Sequence, residues 1–274
     1  MKKLTRSETA KILLAHDNYA IVTHRRPDGD TLGSSALLCM GLRQLGKNAH
    51  ILENPEITPK YKHLHQGLTK PAAEEGDFVV SVDVASSNML PDCFKTLIYD
   101  LRIDHHGNAT SFTPVELVEP GAAACGEIVY HVLMEMGVEL DIPMANALYT
   151  AISTDTGCFR YANTTADTFA VASACAKAGA EVFRLNQELF ETNSLARLKV
   201  QSYMLQNAVF LQQGKVPLFI PLVFGDIAIV VHMAPLGDVD VGDHRRVDLQ
   251  LDQYRIGRGY PRFPRNTHGL RSHL

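Results

Sequence analysis

With 274 residues, 46% of them apolar, the chain can bury one full core and still supply a smaller second domain. A net charge of −4 excludes a general nucleic-acid-coating surface, although local basic groups can still hold phosphates. No apolar run approaches the roughly 20 residues of a membrane span, no signal-type apolar core follows the start, and five cysteines without C-x-x-C spacing read as reduced thiols of a cytoplasmic protein.

In chain order, Thr5-Arg6-Ser7-Glu8 is a capping box that opens a helix. Residues 19–23 are predicted as a strand. Thr31 to Leu45 follows as a helix, with Leu32, Ala36, Leu37, Met40 and Leu45 at helical spacing and Gly46 as its stop. Further strands are predicted at 49–52, 78–83 and 97–103, and helices at about 122–136, 143–153, 165–178 and 181–190. This alternation predicts an α/β domain over 1–190, a mainly parallel sheet with helices on both faces. A connector helix is expected within 191–212, starting at Ser194. Residues 213–234 then change pattern, with two β-rich runs split by Gly225-Asp226, and begin a second, incomplete α/β domain. Residues 235–274 hold no Ala, Lys or Glu but seven of the fifteen arginines, and their apolar period is lost.

Acids and imidazoles gather at the ends of the predicted elements. Tyr19 to Thr23 leads into His24, followed by Pro27-Asp28-Gly29-Asp30; Phe78 to Val82 leads into Asp83; the run Leu97-Ile98-Tyr99 precedes Asp104-His105-His106; Asp155 lies at another element boundary. Taken singly, Pro27 to Asp30 is a turn, Asp83 or Asp155 is a helix N-cap, and Asp104 to His106 is a cap or a surface cluster. Taken together at one sheet edge, so many like charges repel unless divalent metal compensates them, and the ligand count suits two ions. Gly29 would let the two neighbouring acids splay toward different ions. His63, His65 and His131 read as solvated or packing residues, and Gly121 and Gly126 form no phosphate loop.

Thr23-His24-Arg25-Arg26-Pro27-Asp28-Gly29-Asp30 through Gly33-Ser34, then Val82-Asp83, Ile103-Asp104-His105-His106 and Thr154-Asp155-Thr156-Gly157, resemble the four motifs of the DHH phosphoesterase family. Phe159 to Thr164 is similar to the bacterial nanoRNase/pAp phosphatase branch. The resemblance covers about 4–234 and implies a DHH domain, a connecting helix and a C-terminal DHHA1-type domain, with substrate between the two domains. It implies two Mn²⁺ ions, one held by His24 and Asp28, the other by Asp30, His105 and Asp155, with Asp83 bridging. His106 would touch phosphate as a catalytic residue, Asp104 would accept from an imidazole N–H and fix its tautomer, and Arg160 is a candidate substrate contact. The implied reaction is hydrolysis by a metal-activated hydroxide of short oligoribonucleotides or 3′-phosphoadenosine 5′-phosphate. Homodimerisation is left open.

Two enzymatic alternatives stand beside this reading: a cyclic- or linear-dinucleotide phosphodiesterase, and a family II pyrophosphatase, which the missing basic signature in the second domain disfavours. An alternative of another class is an inactive, nucleotide-binding or misfolding fragment. It arises because residues 235–274 lack the family's late Gly-Gly-Gly-His-type motif and its substrate-gripping arginine. Codons can be chosen for residues 242–266 so that the next reading frame spells a strand-like sequence similar to the family's. A shifted frame is therefore the expectation for this tail, with the strand at 227–232 left unpartnered and exposing an edge.

Overall fold

The structure, a computed structural model, describes residues 2–108 and 110–206, together with the backbone of three strands within 219–255. The chain divides into two units, Met1–Thr192 and Asn193–Leu274.

The first unit starts with β1 (Lys2–Lys3) and α1 (Arg6–Ala15), whose Thr5–Glu8 capping box forms as the sequence predicts. There follow β2 (Tyr19–Val22), α2 (Gly29–Gln44), β3 (Ala49–Leu52), a 3-10 helix at Pro59–His65 and β4 (Thr69–Lys70). Then come β5 (Phe78–Val82), 3-10 helices at Ser87–Met89 and Asp92–Phe94, β6 (Leu101–Asp104) and β7 (Val115–Val118). The unit closes with α3 (Cys125–Glu135), α4 (Ile142–Asp155), α5 (Ala166–Lys177), α6 (Val182–Asn186) and a π-helical turn at Gln187–Glu191.

The seven strands form one parallel sheet in the order β1-β7-β6-β5-β2-β3-β4. Every residue of β2 is buried, as expected for a strand covered on both faces. Tyr19 and Ile21 turn into the larger core, shared with α1 to α4, and Ala20 and Val22 into a smaller one with Leu90, Phe94 and Tyr99. The two faces are therefore covered unequally, by α-helices on one side and by the 3-10 helices at Ser87–Met89 and Asp92–Phe94 with their loops on the other. Close packing of the helical layer depends on Gly33, where a Cβ would come within 2.4 Å of the Ala147 carbonyl oxygen on α4.

After β2 the chain moves to β3 and β4, then returns to place β5 on the other side of β2. The strand order reverses at this point, so a crevice opens at the carboxyl ends of β2 and β5. His24 and Asp83 lie directly after these two strands.

The predicted strand at 97–103 is shorter and later than expected. Leu97 is in a turn, its N–H donating to Phe94 O, and Ile98 is 85% exposed, so β6 begins only at Leu101. Strands β1, β4 and β7 were not predicted: two of them are only two residues long, too short to show a period.

In the second unit, α7 (Leu195–Gln206) covers the first part of the expected connector helix. The two expected β-rich runs become strands β8 (Phe219–Phe224) and β9 (Ile227–His232), which pair antiparallel. β9 does not expose an edge, because β10 (Asp252–Arg255) pairs antiparallel along its other side. The run Asp-Gln-Tyr-Arg has no apolar alternation, so the sequence pattern hid this strand. Apart from β10, residues 235–274 and the frame shift expected there lie outside the described residues.

Candidate metal centre

Backbone geometry sets the candidate residues before their side chains do. Asp28 caps α2, its Oδ1 accepting from the N–H groups of Asp30 (3.0 Å) and Thr31 (3.2 Å). Thr31 Oγ1 in turn donates to Val82 O, which pins the start of α2 to the end of β5. Asp83 holds φ +59, a region that non-glycine residues rarely occupy, and its N–H donates to Ile103 O. Gly29 proves necessary for packing: a Cβ there would lie 2.5 Å from the Thr154 side chain.

Asp155 is the last residue of α4, not at a helix start. A helix C-terminus carries partial negative charge, so a buried carboxylate there is unfavourable unless a cation faces it. Asp30 is placed the other way. Its oxygens accept from the N–H groups of Cys125 (2.7 Å) and Gly126 (3.0 Å) at the start of α3, and from Ser34 Oγ (2.8 Å). Ala124, the N-cap of α3, has no capping side chain, so Asp30 performs that task from another helix.

Three imidazoles face these acids. His24 Nδ1 contacts Arg25 O at 2.7 Å, leaving Nε2 at 3.8 Å from Asp28 Oδ1 and 3.7 Å from Asp83 Oδ2. His105 Nδ1 contacts Ala122 O at 3.3 Å, leaving Nε2 at 3.5 Å from Asp83 Oδ1, 3.5 Å from Asp155 Oδ2 and 3.7 Å from Asp30 Oδ2. In both rings the carbonyl fixes the tautomer and aims a lone pair at the carboxylates. These gaps are too long for hydrogen bonds, and buried Asp83 Oδ1 has no hydrogen-bond partner among the described residues. Ligand-type atoms thus form two triads, His24/Asp28/Asp83 and Asp30/His105/Asp155, each within 4.8 Å; a third grouping joins Asp83, His105 and His106. Oxygen-rich triads of this kind suit divalent ions.

His106 is placed differently. Its Nδ1 is 2.8 Å from Asp104 Oδ1, which also accepts the N–H groups of His105 and His106. Asp104 therefore orients His106 and not His105. The Asp104 contact lifts the His106 pKa above its ordinary value. Burial would raise Asp104, but the hydrogen bond and charge of His106 outweigh it and hold the carboxyl low. Arg160 is exposed, and its Nε donates to Gly157 O at 2.6 Å.

Without a cation, Asp30 and Asp83 lie above the ordinary carboxylate range, while at Asp28 burial is outweighed by His24, which holds the carboxyl low. Burial, then the charge of Asp155, pushes Asp30 up to about 7. Burial and Asp30 raise Asp83 well above the carboxylate range. Burial alone would lower His24, but Asp28 and Asp83 outweigh it and lift it to about 9.

Several residues support the site in roles that the sequence did not assign. Asn54 donates to Thr23 Oγ1 and His24 O, Ser34 to Asp30, and Asn163 Nδ2 to both Ala123 O and Asp155 O. His65, expected in solvent, is buried against Ser35 Oγ and Leu32 O. His131 pairs with Asp167 at the surface, away from both triads.

Residues 18–152 match the DHH family, N-terminal domain. The chain carries a DHH-family domain. The bifunctional oligoribonuclease and PAP phosphatase NrnA of Thermus thermophilus is 29% identical to it over 215 residues, which are 78% of this chain and 62% of that protein. The protein of the same name from Bacillus subtilis is 26% identical over 221 residues, 78% of this chain and 70% of that one. The chain therefore spans only about three-fifths of the length of the first relative. An exopolyphosphatase-related protein from Bacteroides fragilis superposes on 74% of the chain and 65% of its own, with a TM-score of 0.66 and 22% identity, and so shares the fold of the DHH domain. Among the described residues no helix is long and apolar enough to cross a membrane.

Proposed function

We propose that the chain is a metal-dependent phosphoesterase of short oligoribonucleotides, of 3′-phosphoadenosine 5′-phosphate, or of both, with two Mn²⁺ ions as cofactor. The observation that carries this reading is the juxtaposition of the triads His24/Asp28/Asp83 and Asp30/His105/Asp155, with Asp83 next to both imidazoles. The names of the relatives support the substrate class. Hard carboxylate oxygens with two imidazoles favour Mn²⁺ over Mg²⁺. Bound divalent ions would supply a nucleophilic water at neutral pH and neutralise phosphoryl charge.

The chain's own residues divide the remaining work. Asp83, between the triads, serves both positions. His106 commits Nδ1 to Asp104, which leaves Nε2 to donate to a phosphoryl oxygen or to the leaving oxygen. Arg160, with Nε held by Gly157 O, keeps its outer nitrogens for substrate. The deciding experiment is Mn²⁺-dependent release of mononucleotide from a dinucleotide, and of phosphate from the bisphosphate. Turnover of neither supports an inactive nucleotide-binding chain instead.

Metal affinity should rise steeply with pH. Asp30 (about 7) and His24 (about 9) carry protons that a cation must displace, so protons compete most below pH 7 and least above pH 9. Calorimetric Mn²⁺ titrations at pH 6 to 9 should show proton release and tightening affinity; pH-independent binding would rule the assignment out. The metal-free protein has the opposite dependence for Asp30. Its folded pKa lies above the unfolded value, so its contribution to stability falls as pH rises from about 4 through 7.

A further inference from the structure

Arg102 is the largest of the fully enclosed side chains, 1% exposed on β6 two residues before Asp104. Leu101 and Ile103 turn into the main core, so alternation sends Arg102 to the opposite face. There Nη2 donates to Oε2 of Glu116, its register partner on β7, at 2.5 Å. Nη1 donates to two backbone oxygens, Ala85 O at 3.2 Å and Thr110 O at 3.1 Å. Ala85 O also accepts the Thr110 N–H at 2.8 Å, and the guanidinium lies 5.5 Å from the centre of the Phe112 ring.

Ala85 stands two residues after Asp83, and Thr110 stands four residues after His106. One cation therefore ties the loop leaving β5 to the loop leaving β6. A buried ion pair is not needed to hold β6 to β7, since four residues of β6 are already in register with β7 and an apolar pair of similar volume usually serves folding as well. An apolar pair cannot donate to the two loop carbonyls.

We propose that Arg102 is a positioning residue for the DHH centre: by clamping the Ala85 and Thr110 carbonyls it sets Asp83 against His106, whose Oδ1 and Nδ1 stand 3.6 Å apart. The proposal deepens the phosphoesterase reading and rests on it only for its catalytic consequence.

The test uses the full chain with the double substitution Arg102→Met/Glu116→Met, which removes both charges at similar volume, and with Arg102→Lys, which keeps the charge but loses the planar fork. In the double variant the thermal midpoint should stay within a few degrees of the parent. Amide exchange at Thr110 should quicken about tenfold or more. With Mn²⁺ and a dinucleotide, kcat should fall about 10- to 100-fold while KM moves less than about threefold. Arg102→Lys should show the same changes, smaller in size, and it carries the test if the double variant does not fold. Parental exchange at Thr110 and parental kcat in a folded variant overturn the proposal. So does exchange that quickens throughout the sheet in step with a lowered midpoint, which marks a merely structural pair. If the parent turns over no phosphoester, the functional reading fails, while the exchange comparison still decides the clamp.

Discussion

Asp83→Ala is expected to lose most bound metal and to lower turnover on the order of 10³-fold. The reason is position. Asp83 Oδ2 lies 3.7 Å from His24 Nε2 and Oδ1 lies 3.5 Å from His105 Nε2, so removing one carboxylate takes a member from the first triad and a neighbour of His105 from the second. Stability should not fall in parallel. The Asp83 carboxyl is buried beside other acids, and burial and Asp30 push its pKa well above the carboxylate range, so the metal-free protein gains little from the side chain. Metal analysis beside thermal unfolding checks this. A variant with parental metal content shows that Asp83 is no ligand. Equal loss of metal and of fold shows that the site was never separable from the core.

His105→Ala and His106→Ala should part company. His105 Nε2 faces Asp30, Asp83 and Asp155, so its loss should empty one metal position. His106 Nδ1 is engaged by Asp104, so its loss should leave most metal in place and reduce turnover roughly 10²- to 10⁴-fold, the range of one acid–base group. Its raised pKa adds a second signature. A protonated His106 is the working donor, so the His106-dependent part of the rate should decline as pH rises past its pKa. Counting Mn²⁺ per chain in the two variants tests the distinction, and equal losses would defeat it.

Much of the fold and of the centre was legible in the sequence because both depend on repeated patterns. Tyr-Ala-Ile-Val and Phe-Val-Val-Ser-Val are continuous apolar runs, and each ends at a residue of the centre. Strand β6 was misplaced because a buried arginine interrupts Leu-Arg-Ile-Asp, and the charge that disguised it is paired with Glu116, a residue no periodicity connects to it. Asp155, which taken singly reads as a helix N-cap, ends a helix instead, since spacing marks a boundary but not its polarity. The supporting roles of Asn54, Ser34 and Asn163 were illegible for a simpler reason. Each acts through one or two hydrogen bonds to a particular side chain or carbonyl, and a lone polar residue carries no pattern until the chain is folded around it.

The crevice where the strand order reverses also has a kinetic meaning. Its two triads join His24 to Asp83, and Asp30 to Asp155, across most of the first unit. These groups meet only when β2, β5 and β6 are paired and α3 and α4 are docked, so an ion cannot gather its ligands in a partly folded chain. In a zinc finger the metal organises a short segment, but here it arrives at a finished scaffold. The ion would therefore act on the way out of the native state and not on the way in. It would leave the rate of folding to the parallel sheet, with its distant pairings, and would slow unfolding by holding closed the one edge where five chain segments converge.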